Sequence, residues 1–243
     1  MESLIHFMNK DGYKSMTNYE KKCINTFVTL NPTFKIIYWT NNDIDIFMKK
    51  NFKDNYNDWI NNNNGFRGNL KKWDTARLCI IYIYGGFYAD NDCTNLLSLE
   101  NLLKYSLVLR KPVYRWSSTY KLFSQYSLPH TCNAFFGAKK NNIHILNIIK
   151  QIFNNYKKDK NMHVGLATGC LLLGSYVNQN IENNENNEDE NIYLLNYYEF
   201  KEGPEKFDWI TDSSLFDNLY VVHKINDNFS INRYLCFKEK IKR

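Results

Sequence analysis

The octapeptide Gly85-Gly86-Phe87-Tyr88-Ala89-Asp90-Asn91-Asp92 sets two carboxylates one residue apart, where an apolar helix hands over to a short strand. Hard divalent cations such as Mg²⁺ and Mn²⁺ prefer oxygen ligands and keep coordination positions for water and substrate phosphates, so one or two protein carboxylates suffice to hold them. A carboxylate pair at a strand end meets that need. Asp-x-Asp alone is common, and a solvated turn with one carboxylate capping the segment 94–103 is the competing reading. The flank argues against it. Gly85-Gly86 lets the backbone turn sharply and allows a close approach, while Phe87-Tyr88-Ala89 has strand character, so the carboxylates leave a rigid element at a defined angle.

The helix upstream carries its own signal. At about 100° per residue, Leu70, Trp73, Ile80, Ile81 and Tyr84 share one arc of the segment 69–84, and Asp74 and Arg77 fall inside it. Charged residues are rarely buried unless paired, and three residues apart on a helix they touch. Two readings follow. The pair is a structural salt bridge, or both residues line a polar pocket beside the carboxylates, with Asp74 accepting from sugar hydroxyls and Arg77 offering its planar fork to ribose or phosphate.

Lys72-Trp73-Asp74-Thr75-Ala76-Arg77, followed by Ile81-Tyr82-Ile83-Tyr84-Gly85-Gly86-Phe87-Tyr88-Ala89-Asp90-Asn91-Asp92, resembles the signature of glycosyltransferase family 32, the sugar transferases with a DXD motif, whose core is related to that of the large glucosylating toxins. The family pattern is an Asp three residues before an Arg, a helix ending in Gly-Gly, then Tyr and Asp-x-Asp, and every part is present. Leu4-Ile5-His6-Phe7-Met8 resembles the family's first strand, usually Ile-His-x-Ile-Trp, and Lys35-Ile36-Ile37-Tyr38-Trp39-Thr40 resembles the second. Where the family often has a Trp that stacks on the nucleotide base, this chain has Asn9, which offers hydrogen bonding only. His6 reads as a strand residue with a satisfied ring. His223, after Tyr220-Val221-Val222, resembles a late His that some such enzymes place against the metal or diphosphate. Thr168-Gly169 resembles a Thr-Gly-Pro segment near the acceptor, with Cys170 in place of Pro.

The resemblance implies an α/β fold of the glycosyltransferase A type, a Rossmann-like nucleotide-sugar-binding sheet merged with an acceptor half. One domain is expected over 1–243, with 1–110 mainly donor and 111–243 mainly acceptor. It implies a retaining hexosyltransferase that uses Mn²⁺ or Mg²⁺ to move a sugar from a nucleotide-diphosphate donor, a UDP-sugar or GDP-mannose, to a hydroxyl of a glycan, protein or lipid. Asp92, Asp90 and His223 are then the expected metal contacts, and Asp74, Arg77, Tyr88, Asp90 and Asn9 the donor contacts; no protein nucleophile is assigned. A nucleotide-sugar-binding protein that has lost transfer is one alternative, with the missing Trp at position 9 as its support. A metal-dependent nucleotidyltransferase is the other, but Asn9-Lys10-Asp11-Gly12 does not supply the Gly-rich phosphate loop it would carry near the first strand.

Composition agrees with one catalytic domain. At 243 residues, 44% hydrophobic and 16% aromatic, the chain has ample material for a single large core and is no disordered polymer. The formal charge of +6 is scattered among acids, without the basic stripe of a nucleic-acid binder. Six cysteines, Cys23, Cys79, Cys93, Cys132, Cys170 and Cys236, form no Cys-x-x-Cys, so zinc is not expected and a cytoplasmic or other reducing compartment is. No basic n-region with an apolar run opens the chain, and no stretch approaches the roughly 20 apolar residues of a membrane span.

Strands and helices alternate. Thr17-x-x-Glu20 is a capping box opening a helix with Cys23, Phe27 and Leu30 at helical spacing, stopped by Asn31-Pro32. A strand at 35–40, a helix at 42–50, a polar loop at 61–64, a helix at 98–104 and a strand at 107–109 follow. Residues 111–131 form a long aromatic connection, in which Tyr114, Arg115, Trp116 and Tyr120 suit either a lid over donor or acceptor or an irregular segment packed permanently on the core. Next come a strand at 133–138, a helix with Ile143, Leu146, Ile149, Phe153 and Tyr156 on one side, a helix after Thr168-Gly169, a solvated loop at 182–190, and strands at 192–200 and 219–223. Such βαβ alternation predicts an α/β sheet.

Overall fold

The computed structural model describes residues 1–61, 65–114, 129–182, 191–196, 200–204 and 220–225. The chain enters through β1 (Leu4–Met8), α1 (Asn18–Leu30), β2 (Lys35–Trp39), α2 (Asn41–Asn51), α3 (Lys53–Asn61) and α4 (Gly65–Tyr84). Thr17 caps α1 through its bond with the Glu20 amide, and the Glu20 carboxylate returns to the Thr17 amide, the expected capping box. A second box, Thr40 with Asp43, starts α2. After α4 come β3 (Gly86–Ala89), β4 (Cys93–Asn95), β5 (Leu107–Arg110), the short pair β6 (Val113–Tyr114) and β7 (Pro129–His130), β8 (Phe135–Ala138), α5 (Ile143–Lys158), α6 (Val164–Ala167) and α7 (Cys170–Val177). The strands β9 (Ile192–Leu195), β10 (Phe200–Pro204) and β11 (Val221–Ile225) complete the described elements.

Six strands form the main sheet in the order β2-β1-β3-β8-β5-β9. β2, β1 and β3 run parallel, β8 opposes both β3 and β5, and β9 runs parallel to β5. Side chains alternate between the faces, as the strand period of two requires. Met8, Tyr88, Leu107, Leu109 and Phe136 pack with residues of α2 to α5 and α7, while Ile5, Phe7, Phe87, Val108 and Phe135 pack with Ile24 and Phe27 of α1. Gly137 allows the Phe87 ring to lie flat across β8, since a Cβ there would come within 2.5 Å of that ring. A second sheet, β10-β11-β4, begins where the main sheet's β3 ends.

Several boundaries differ from the sequence reading, each for a local reason. The helix expected at 98–104 is a single 3-10 turn, Glu100–Leu102, and residues 93–95 are strand. Buried Asn31 explains this: its amide donates to Asn95 Oδ1 at 2.6 Å and its carbonyl accepts the Leu99 amide at 2.7 Å, anchoring the segment to the end of α1. The α4 helix starts at Gly65, and Ala76, Leu78, Cys79, Ile80 and Ile81 are all buried while Tyr84 is 41% exposed, so the helix buries more than one arc. On α5, Ile143 points outward and His144, Ile145, Ile148, Ile152, Phe153 and Tyr156 face in, because the Asn142 cap sets the helix start. Cys23, Cys79, Cys93 and Cys132 are buried, and Cys170 is partly exposed. Residues 115–128, the centre of the expected lid, and 183–190, the expected solvated loop, lie outside the described residues.

Candidate active site

The turn from α4 into β3 depends on two glycines. Gly85 and Gly86 have φ of 70° and 88°, a region that penalises side chains, and a Cβ on Gly86 would lie 2.6 Å from the Leu4 carbonyl oxygen. Their freedom lets β3 enter directly beside β1, pairing Ile5 with Phe87 and His6 with Tyr88. His6 is held as a core residue. Its Nε2 bonds the Gly85 carbonyl at 3.0 Å and its Nδ1 accepts from the Trp39 indole at 3.1 Å, and burial keeps the ring neutral by pulling its pKa down to about 4.

The chain moves from β1 outward to β2 on one side and back to β3 on the other, so β1 and β3 flank a switch point in the sheet. In open α/β sheets ligands bind beyond the carboxyl ends of the strands at such points. Asp90, Asn91 and Asp92 occupy that end. The Asp90 amide donates to the Ala134 carbonyl at 2.7 Å, Cys93 turns back onto the Asp90 carbonyl at 3.0 Å, and the Asn91 amide reaches Met8 O at 2.9 Å. Asn9 lies at the same end, but its side-chain oxygen accepts from the Asp11 amide and the Ser15 hydroxyl, shaping a turn.

Arg77 joins the helix to this edge. Its guanidinium lies 3.4 Å from Asp74 and 3.2 Å from Asp90, donates to the Asn133 carbonyl at 2.9 Å, and covers the Tyr88 ring at 4.7 Å. The Tyr88 hydroxyl donates to Asp90 Oδ1 at 2.5 Å. Side-chain exposures of 10% for Arg77, 13% for Asp74 and 27% for Asp90 place the first two inside the protein and the third at its rim. Burial opposes the Arg77 charge, but Asp90, Tyr88 and Asp74 outweigh it and hold its pKa above the usual value. Asp74 goes the other way: burial raises it to about 6 despite Arg77, Thr168 and Asn133. Thr168 donates to its Oδ2 at 3.1 Å and Asn133 to its Oδ1 at 2.9 Å.

Of the expected site residues, Asp74, Arg77, Tyr88 and Asp90 thus form one connected network. Asp92, two residues after Asp90, is partly buried, with its charge felt by Cys93 and Tyr19. His223 is brought to it by backbone register, since His223 pairs with Cys93 across β11 and β4; its side chain lies outside the described residues. Among the described residues no three His, Cys, Asp or Glu side chains cluster as a metal cage. Asn133 was missed by the sequence reading. It precedes an apolar strand, and only the antiparallel pairing of β8 with β3 reveals that this strand begins at the carboxyl end of β3.

Comparison with known proteins agrees with this geometry. The family described as "glycosyltransferase sugar-binding region containing DXD motif" matches residues 17–109, a span that includes Asp74, Arg77, Asp90 and Asp92. PaToxG glycosyltransferase superimposes with a TM-score of 0.50 at 16% identity, over 76% of this chain and 72% of that one. Mouse xyloside xylosyltransferase 1 gives 0.52 at 9% identity, over 95% and 100%. The fold is that of a GT-A glycosyltransferase. This architecture is mixed α/β, a sheet flanked by helices. An uncharacterised glycosyltransferase of Acanthamoeba polyphaga mimivirus is 25% identical over 186 residues, which is 76% of this chain and 68% of that protein. No helix among the described residues is long and apolar enough to cross a membrane.

Proposed function

We propose that the chain is a metal-dependent, retaining hexosyltransferase of the family 32 kind, transferring a sugar from a UDP-sugar or GDP-mannose to a hydroxyl of a glycan, protein or lipid acceptor. The observation that carries this is the position of Arg77 between Asp74 and Asp90, at the carboxyl-end crevice between β1 and β3. A structural ion pair has no need of a third charge at a strand switch point.

The residues divide the work. Asp90 is engaged by Tyr88 and Arg77, so its part is to shape the ribose side of the pocket or reach the metal through water. The metal then falls to Asp92, with His223 alongside by register. Mn²⁺ or Mg²⁺ held there supplies Lewis-acid stabilisation to the departing diphosphate. An Asp, a neighbouring His and substrate phosphates make an oxygen-rich, incomplete protein shell of the kind these ions accept. Arg77 directs its fork at protein groups, so it positions carboxylates and does not clasp phosphate. Asp74 retains lone pairs beyond its two hydrogen bonds and is the group to accept from donor sugar hydroxyls. Thr168, from the second half of the chain, touches Asp74, which supports one domain in which the donor half, 1–110, and the acceptor half, 111–243, share a site.

A panel of nucleotide sugars with Mn²⁺, followed by release of nucleotide diphosphate, tests this. A transferase releases diphosphate and more of it with acceptor; a protein that only binds donor releases none; a nucleotidyltransferase makes or consumes pyrophosphate. Either of the last two results overturns the proposal.

A further inference from the structure

Asn133 makes three contacts that no other residue of the site combines. Its backbone carbonyl accepts from Arg77 at 2.9 Å, the same nitrogen that faces Asp90. Its side-chain Nδ2 donates to Asp74 Oδ1 at 2.9 Å. Its Oδ1 lies 3.5 Å from the Cys170 thiol at the start of α7, where the thiol donates to it. A carboxylate neighbour demands a donor and the thiol supplies one, so the amide has one satisfactory orientation. The residue stands just before β8, whose first residue, Phe135, pairs with Ala89. Asn133 is therefore fixed by the sheet on one side and by α7 on the other.

We propose that Asn133 is a positioning residue of the donor site: its backbone sets Arg77 against Asp90, while its side-chain amide holds the Asp74 carboxylate in the orientation that a sugar hydroxyl meets. This rests on the donor-site reading above and adds to it a specific task for a residue outside the Asp-x-x-Arg and Asp-x-Asp motifs. The two links are separable, because a side-chain substitution removes the amide and leaves the backbone carbonyl. Asp74 would keep Arg77 and Thr168 and lose the one neutral donor on its Oδ1.

The charge state of Asp74 follows the same contact. The groups facing Asp74 are Arg77 on its own helix, Asp90 from the end of β3, Thr168 before α7, Asn133 before β8, and Tyr156 of α5, whose hydroxyl titration feels the Asp74 charge. Hydrogen bonds to the ionised form lower a carboxylate's pKa, so withdrawing the amide moves Asp74 upward. Replacing it by a second carboxylate moves it further, since like charges at hydrogen-bond distance do not both ionise freely.

The test compares wild type, Asn133→Ala and Asn133→Asp in donor affinity and kcat/KM across pH 5 to 9, with melting temperatures alongside. The acid limb should move up by about one pH unit in Asn133→Ala, so that affinity at the old midpoint falls about fivefold and well below it about tenfold, and by more in the near-isosteric Asn133→Asp, with activity of Asn133→Asp recovering toward alkaline pH last. A spacing role alone predicts the reverse order, with the isosteric Asp variant closest to wild type. That order, or superimposable pH profiles, overturns the proposal. In an Asp74→Asn background, the shift caused by Asn133→Ala should vanish, and a persistent shift also overturns it. If wild type binds and cleaves no nucleotide sugar, the donor-site reading fails and this proposal with it; wild-type turnover with unshifted variants removes this proposal alone.

Discussion

Replacing Arg77 by Met keeps an unbranched apolar stem of similar length and removes the guanidinium that covers Tyr88 and carries the charge between Asp74 and Asp90. Breaking a buried ion pair from one side costs about 3–5 kcal/mol, because the other charge is stranded. Asp90 at 27% exposure turns partly to water, so the lower end applies. A loss of about 3 kcal/mol lowers the melting temperature of a chain this size by about 6–12 °C. The pH dependence gives a sharper criterion. Asp74 is already raised to about 6 by burial, with Arg77 pulling it down, so in the variant it rises further. The folded variant then binds more protons than its unfolded chain above the ordinary carboxylate pKa of about 4, and its stability falls as pH rises through that interval. Denaturation of both proteins at pH 5 and pH 8 should show the larger gap at pH 8. Calorimetry on the cold, folded variant should also show donor affinity lost. An equal gap at both pH values would refute the electrostatic reasoning, and intact donor affinity beside a large thermal loss would make the pair purely structural.

His6, neutral down to about pH 4, titrates near 6.5 when unfolded, so this group withdraws about 3 kcal/mol of stability as pH falls from 6.5 to 4; its imidazole NMR signals should stay fixed from pH 8 to pH 5, and a midpoint near 6.5 would contradict the buried neutral ring. Gly86→Ala should destabilise by about 2–5 kcal/mol, from left-handed backbone strain plus crowding against Leu4, and a variant melting with wild type would show that the turn does not need this glycine.

Much of the site was legible because its signals are local. Asp74 and Arg77 stand three apart on a helix, and Gly85-Gly86 before a strand and an Asp-x-Asp announces the turn that brings them together. The parallel half of the sheet followed from alternation in the first 90 residues. What the sequence concealed depends on contacts distant along the chain. Asn31 and Asn95 are 64 residues apart, and the bonds of Asn31 to Asn95 and Leu99 accompany a single 3-10 turn at Glu100–Leu102 where a helix is expected over 98–104. Asn133 and Thr168 meet Asp74 across 59 and 94 residues, the first through the antiparallel pairing of β8 with β3 and the second through the turn between α6 and α7, and apolar periodicity encodes neither. Asn9 had the position of a donor contact, yet a turn two residues on competes for its side chain.

In the proposed mechanism Asp92 holds a divalent cation on which donor binding depends. Isothermal calorimetry of wild type and Asp92→Asn with a nucleotide sugar, with and without Mn²⁺, addresses it directly, since the amide keeps the carboxylate's shape and loses its charge. Donor should bind wild type only with the metal present and should not bind a folded Asp92→Asn; equal, metal-independent affinity in both proteins would rule out a metal at Asp92.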